Sequence, residues 1–420
     1  MSSSQGGTES TETSRFATGI SVDDARERIL RRAGGCPPRT AQLTLGQARG
    51  RILAVAVHAP LSVPPFANSA MDGFAVRGSD LPGLGERALH LRGTRLAGDG
   101  SPICVEPGEC VRVTTGAPVP PGADTIVIKE NVRVDGDTVW IAAGETAGSH
   151  VRPAGEDYLV GDLAFAPGTV LTPARLGVLA SFGMSHVEVV EPVRAIVLTT
   201  GDEIAAAGFP LGHGQIYNSN QFTLSALLEQ AGAQVLRHQH VRDDPEALRV
   251  ALRNAAAEAD IVISSGGVSA GEADFLPRLL QQVGTVDFWK VRMKPGMPML
   301  FGSVGEALVF ALPGNPVSSM ATFLALVRPA LDALAGRPPP RPWHARLSRA
   351  IVKNHRRAEF QRARWESRGD GSVWVTPFLR QGSGVLRSVA EADCLIVLSE
   401  SDEHLPEGSC VPILPLPENC

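Results

Sequence analysis

No Cys-x-x-Cys pair occurs in the chain, and none of its six cysteines stands near a histidine at zinc-ligand spacing. That excludes a zinc ribbon and a disulfide scaffold, and points to free thiols in a reducing compartment. No apolar run reaches the roughly 20 residues of a membrane span, so no membrane segment is expected. Charge of one sign is also missing. The 39 Lys+Arg set against 44 Asp+Glu leave a net charge of −5, which excludes a broad nucleic-acid footprint. Any anion site must therefore be built locally. There is no G-x-x-x-x-G-K-[ST] loop, and no G-x-G-x-x-G opens the α/β region. A P-loop enzyme and a dinucleotide Rossmann site are both disfavoured. No repeat of solenoid length is found. Residues 1–18 are rich in Ser, Thr and Gly without an apolar h-region. They read as a disordered tail rather than a signal peptide, with the cytoplasm as the expected compartment.

What is present is ample core. The chain has 420 residues, 43% hydrophobic and 20% charged, which fits a soluble globular protein of about two to four domains. Ser21 caps a first helix with Asp24 in the capping-box place. A second short helix is expected near Leu45–Leu53. From 61 to 151, short alternating runs between Gly and Pro describe an all-β insert. Thr172 and Pro173 then open a helix closed by Gly183, so the first domain is expected to be discontinuous, 19–60 with 152–186. From 187 to 335 strand and helix alternate, which argues for a doubly wound parallel sheet. The last helix there, Val317 to about Leu334, is expected to break or kink at Pro329. A stiff Pro-rich linker, 336–342, leads to short strands over 343–420, read as a small β-barrel.

The polar residues gather where these strands end. Asp202 and Glu203 close one strand, Asp243 and Asp244 the next. Ile261–Ile263 empties into Ser264-Ser265-Gly266-Gly267-Val268-Ser269, followed by Gly271, Glu272 and Asp274. Lys290, Arg292 and Lys294 close another strand, and Pro313-Gly314-Asn315-Pro316 the last. Taken singly, each is ordinary turn and cap chemistry. Together they put acids, cations and glycine turns on one rim of one sheet, where open α/β sheets bind ligands. Cations and loop N–H groups suit a phosphorylated or oxyanionic ligand, and acids suit a bridging Mg²⁺.

The ordered motifs carry a resemblance. Pro65-Phe66-Ala67-Asn68-Ser69-Ala70-Met71-Asp72-Gly73-Phe74-Ala75, Thr115-Gly116-Ala117-Pro118, Gly155-Glu156-Asp157 and Thr200-Gly201-Asp202-Glu203 come first. Ser265-Gly266-Gly267-Val268-Ser269, Lys294-Pro295-Gly296 and Pro313-Gly314-Asn315-Pro316 follow. From about Ser21 to the C-terminus the chain resembles the molybdopterin molybdenumtransferase family (MoeA, and the E domains of gephyrin and the plant Cnx proteins).

The resemblance implies insertion of molybdate into adenylylated molybdopterin with release of AMP and a need for Mg²⁺. It implies a discontinuous elongated N-terminal domain, a β insert, an α/β domain like the molybdopterin adenylyltransferases and a C-terminal β-barrel. It also implies a homodimer whose cleft joins the α/β domain of one protomer to the β insert of the other, and possible contact with molybdopterin adenylyltransferase and molybdoenzymes. Carried over by motif, Glu203, Asp243 and Asp274 are the expected metal and anhydride residues. Lys290, Lys294, Asp72 and Thr115 complete the expected catalytic set. Ser265, Gly266, Gly267, Ser269, Asp157, Pro313 and Pro316 line the substrate site. Arg362 and Ser383 help Lys294 hold molybdate. Met297 departs from the lysine common after Lys-Pro-Gly and removes one cation. Phe74 replaces a frequent tyrosine. Two other functions remain open at this point: a non-catalytic pterin carrier or scaffold, and the adenylyltransferase reaction on the same α/β fold.

Overall fold

The computed structural model describes residues 16–267 and 275–416. The chain divides into two compact units, one drawn from residues 1–41 and 190–420 and the other from Gln42–Val189.

The first unit is organised on a seven-stranded sheet. In chain order its strands are β1 (Ala17–Ile20), β2 (Arg194–Thr200), β3 (Gln234–Val241), β4 (Ile261–Ser265), β5 (Thr285–Val291), β6 (Leu300–Val304) and β7 (Ala307–Leu312). In space the order is β1-β5-β6-β7-β4-β2-β3. Apolar β-branched runs such as Ile261-Val262-Ile263 are fully buried, as expected of strands covered on both faces. One face packs on helices Val22–Ala33, Ser219–Gln230 and Pro316–Leu334, the other on Pro245–Glu258 and Phe275–Val283.

The sheet is not purely parallel. β6 runs antiparallel to both β5 and β7. It was hidden in the sequence because a tight hairpin joins it to β7, with Gly305 at φ +58°. A positive φ at the first turn position matches the twist of the flanking strands.

The tail assignment also changes. Ala17 and Thr18 lie in β1 and pair with Phe288 and Trp289. Ile20, Val22, Ala25, Ile29 and Ala33 pack into the α/β core, within the first compact unit. Ser21 caps their helix as expected, accepting the Asp24 N–H. The helix expected near Leu45–Leu53 is absent. A hydrogen-bonded turn and the strand Ile52–Leu53 stand there.

The final helix, Pro316–Leu334, has 19 residues and is long and apolar enough to cross a membrane by length and composition, contrary to the sequence reading. However, 78% of its most apolar window is buried inside the protein, as in a core helix. Pro329 does not break it. The turn Phe323–Val327 widens to π geometry instead. Proline has no N–H for the carbonyl four residues back, so Ala325 keeps a free acceptor. Arg26 of the first helix fills it, with Nε at 3.4 Å and Nη2 at 3.3 Å.

The barrel is closed by Ala358–Ser367, Val373–Pro377, Trp343–Leu347, Cys410–Pro415 and Cys394–Leu398, the last pairing back to the first. It is joined to the α/β sheet through the strand Met293–Lys294, which pairs with Ala358 and Glu359. Phe360, Leu395 and Leu416 enter the α/β core.

In the second unit, six strands form the β insert, in the order Val132–Asp135, Thr138–Ala142, Glu86–Arg95, Glu109–Val113, Gly73–Val76 and Thr125–Ile128. The helix Pro173–Ser181 is capped by Thr172.

Where the first unit hands the chain to the second, Arg39 and Arg194 grip Asp260 at 2.7 and 2.9 Å, and Arg39 also pairs with Glu191 at 3.0 Å. Burial alone would push the Asp260 carboxyl up, yet the two guanidinium groups pull it down to about 2. A carboxyl whose folded pKa is depressed adds stability at neutral pH and loses it as pH falls from about 4 toward 2. Asp260→Asn should therefore cost about 1–2 kcal/mol at pH 7, after discounting for solvent screening. It should also flatten the acid limb of the stability curve, read by urea midpoints from pH 2 to pH 7.

Candidate active site

A cleft of about 360 Å³ opens at the carboxyl ends of β2, β4 and β7. Glu203, Asp243, Ser265, Gly266, Gly267, Pro313 and Pro316 all line it. Sequence reasoning named these seven, and the structure brings them together.

The floor is glycine for steric reasons. Gly266 has φ +100°, and a Cβ there would lie 2.6 Å from both the carbonyl oxygen and the hydroxyl of Thr200. Gly267 follows at φ +68°. L-residues avoid this region. Two helices of the α/β unit begin at the cleft wall, Ser219–Gln230 and Pro316–Leu334. Their first N–H groups have no intrahelical partner and favour anions.

Asn218 caps the first of these helices, accepting from the Gln221 N–H at 3.2 Å while donating to Thr199 Oγ1 at 2.8 Å. Asn220 donates to Ser265 Oγ at 2.8 Å and to the Gly314 carbonyl at 2.7 Å. It thereby fixes the serine of one loop against the turn of the other. Its Oδ1 and the Thr200 hydroxyl are buried without a hydrogen-bond partner among the described residues.

The acids sit close enough to feel one another. Burial raises the Asp243 carboxyl above the usual carboxylate range, and the charges of Asp202 and Glu203 raise it further. Carboxylates crowded in this way are suited to a hard, oxygen-binding cation. Among the described residues, no group of three or more His, Cys, Asp or Glu side chains is close enough to hold a metal. Asp274, the third acid expected, lies outside the described residues, as do Ser269 and Glu272.

The cations are not in this cleft. Lys294 is absent from its lining and pairs with the buried Glu359 at 3.0 Å. Lys290 adopts φ +62° and lays its Nζ 3.8 Å over the Trp289 ring. Like Lys294, it is absent from the lining of this cleft.

Arg362 is 1% exposed. It donates to Ser388 Oγ at 3.1 Å and to the carbonyls of Arg380 and Gly382 at 3.3 and 2.9 Å. These bonds shape the loop that carries Ser383. Ser383 reaches the cleft wall, its hydroxyl accepting from Asn315 Nδ2 at 3.2 Å.

Asp72 and Thr115 meet within the β insert. Thr115 donates both its N–H and its hydroxyl to Asp72 Oδ1 at 2.9 Å. The Thr115 N–H, then its hydroxyl, hold the carboxyl below its ordinary value. Asp157 is exposed in the same unit, its N–H donating to the Val63 carbonyl at 2.9 Å. Sequence reasoning quoted Thr200 and Asn315 within its motifs without assigning them a role, and missed Asn220 as a cleft residue. The polar Asn-Ser-Asn triplet at a helix start was the available signal.

The comparisons agree with this architecture segment by segment. Residues 20–183 match the MoeA N-terminal region (domain I and II), 196–333 a probable molybdopterin binding domain, and 344–416 the MoeA C-terminal region (domain IV). A molybdopterin molybdenumtransferase of Haemophilus influenzae is 37% identical, over 94% of this chain and 98% of that protein. Molybdopterin molybdenumtransferase 2 of Mycobacterium tuberculosis is 35% identical, over 93% and 98%. The crystal structure of a molybdopterin biosynthesis MoeA protein from Pyrococcus horikoshii superposes with a TM-score of 0.83 at 25% identity, covering 95% of this chain and 100% of that one.

The fold and these matches define the class first: a multidomain protein with a molybdopterin-binding type of α/β domain set between MoeA-type N- and C-terminal regions. More narrowly, the chain belongs to the molybdopterin molybdenumtransferase family.

Proposed function

We propose that the protein is a transferase that inserts molybdate into adenylylated molybdopterin and releases AMP, a step of molybdenum cofactor assembly. The observation that carries this reading is the convergence of Glu203, Asp243, Ser265 and the Gly266-Gly267 floor on one cleft flanked by two helix starts.

In this reading the helix N–H groups and the glycine loop receive the phosphates. Pro313 and Pro316 shape the wall. Ser383 and Arg362, with Lys294, hold molybdate from the barrel side, since Arg, Lys and a hydroxyl together match a tetrahedral oxyanion. A water or molybdate oxygen attacks phosphorus, the anhydride P–O bond breaks and AMP leaves; the two dithiolene sulfurs bond to molybdenum as one molybdate oxygen departs as water with the two thiol protons. Glu203 and Asp243, with Asp274, would hold Mg²⁺, which when bound neutralises charge on the anhydride.

The test is AMP release from adenylylated molybdopterin with molybdate, with and without chelator. Full activity after stripping divalent cations would remove Mg²⁺ from the account. An adenylylated product from pterin and ATP would replace the transferase with the adenylyltransferase.

The reading includes a homodimer in which the β insert of one copy completes the cleft of the other. It therefore predicts complementation. Asp72→Ala and Glu203→Gln are each expected to be inactive alone. Denatured together and refolded as mixed dimers, they should regain about a quarter of wild-type AMP release, since half the dimers carry one intact cleft. No regain in a verified dimer would mean that each cleft is built within one chain.

A further inference from the structure

Glu359 is a carboxylate 4% exposed, on the barrel strand Ala358–Ser367. A buried carboxylate must be paired. Two basic candidates nearby are committed elsewhere. Lys353 donates to the carbonyls of His355, Arg357 and Glu400 at 3.0, 3.0 and 3.2 Å. Arg362 holds the loop 380–382 and Ser388.

Glu359 instead takes Lys294 on Oε1 at 3.0 Å, while His355 Nε2 lies 3.3 Å from Oε2 without making a hydrogen bond. Its backbone is fixed on both sides, against Lys294 and against Leu398. The Lys294 side chain keeps 40% exposure. An ammonium has three N–H donors. One directed at Glu359 leaves two for a ligand.

We infer that Glu359 is a positioning residue that holds the Lys294 ammonium in place for molybdate. This rests on the proposed transferase reading and adds a residue to it. A lysine stem has four rotatable bonds and loses much freedom when ordered. A rigid carboxylate removes that freedom before the substrate arrives. The contribution is specific to the oxyanion, because Lys294 does not line the cleft that holds Glu203.

The test is steady-state AMP release by Glu359→Gln, Glu359→Asp, Lys294→Met and the Glu359→Gln/Lys294→Met pair. Glu359→Gln should raise KM for molybdate about tenfold and leave KM for adenylylated molybdopterin unchanged. Glu359→Asp keeps the charge and should lie between it and wild type. In the Lys294→Met background, Glu359→Gln should add nothing. A molybdate KM that is unchanged or lower, an equal rise in both KM values, or additive effects in the pair would overturn the inference. Should Glu359→Gln fail to fold, by thermal melt, the Asp variant carries the same test. Should wild-type protein release no AMP, the transferase reading fails. Equilibrium dialysis of molybdate against the same variants then still decides the role of Glu359, with the same tenfold loss expected and unchanged binding overturning it.

Discussion

Glu203→Gln should lower AMP release about 10²–10³-fold while leaving the fold intact. Glutamine keeps the shape of the side chain and removes only its charge, so the Gly201–Glu203 turn has no steric reason to move. The charge is what the cleft is arranged around. Glu203 helps raise the Asp243 carboxyl, after burial and Asp202. Neutralising it should therefore bring Asp243 down toward its ordinary value, visible as a shift in the carboxyl titration of Asp243 by NMR. The Mg²⁺ concentration for half-maximal rate should rise at least about tenfold, the effect expected when an oxygen donor is lost. Wild-type release at ordinary Mg²⁺ would sink the role given to Glu203. An unmoved Asp243 would show that the two acids do not share a site.

Gly266→Ala should be strongly destabilising for a change of a single methyl group at the cleft floor. The new Cβ would lie 2.6 Å from the Thr200 carbonyl and hydroxyl oxygens, at φ +100° where L-residues are strained. Thr200 ends β2, a neighbour of β4 whose end carries Gly266, so the backbone cannot give without opening the sheet edge. The expected cost is roughly 3–5 kcal/mol, read as a fall in the urea midpoint, with AMP release lost in whatever protein remains folded. Gly314→Ala is the control. A Cβ there would meet only Gly266 Cα at 3.8 Å, ordinary contact, and its φ is not positive. If the two variants melt alike, close packing does not explain the glycine at 266.

Much of this was legible in the sequence because the signals were local. Asp244-Pro245 and Thr172-Pro173 announce helix starts, and both cap as expected. The apolar run Ile261–Ile263 with glycines behind it announces a strand end under a ligand site. The ordered motifs identified the family, which the relatives bear out.

What escaped depends on partners distant in the chain. Asn220 matters because it reaches Ser265 and Gly314, 45 and 94 residues away. Glu359 lies three residues before Arg362 in the sequence, yet only its pairing with Lys294 gives it a role. Lys290 was placed at the rim by its position at a strand end and by motif, and no periodicity reveals a backbone at φ +62°. Ala17 and Thr18 read as tail because four residues are too few to show alternation. Their strand exists through Phe288 and Trp289.

The bond from the Glu191 N–H to the Arg39 carbonyl, 2.8 Å long, sets the terms on which Gln42–Val189 interrupts the α/β domain. Exit and re-entry are adjacent, so from that domain's side the whole excursion is a loop whose two ends already touch. The entropy of closing such a loop grows only with the logarithm of its length. Lineages could thus lengthen, shorten or exchange the intervening segment at little thermodynamic expense to the sheet, provided its two stems still meet.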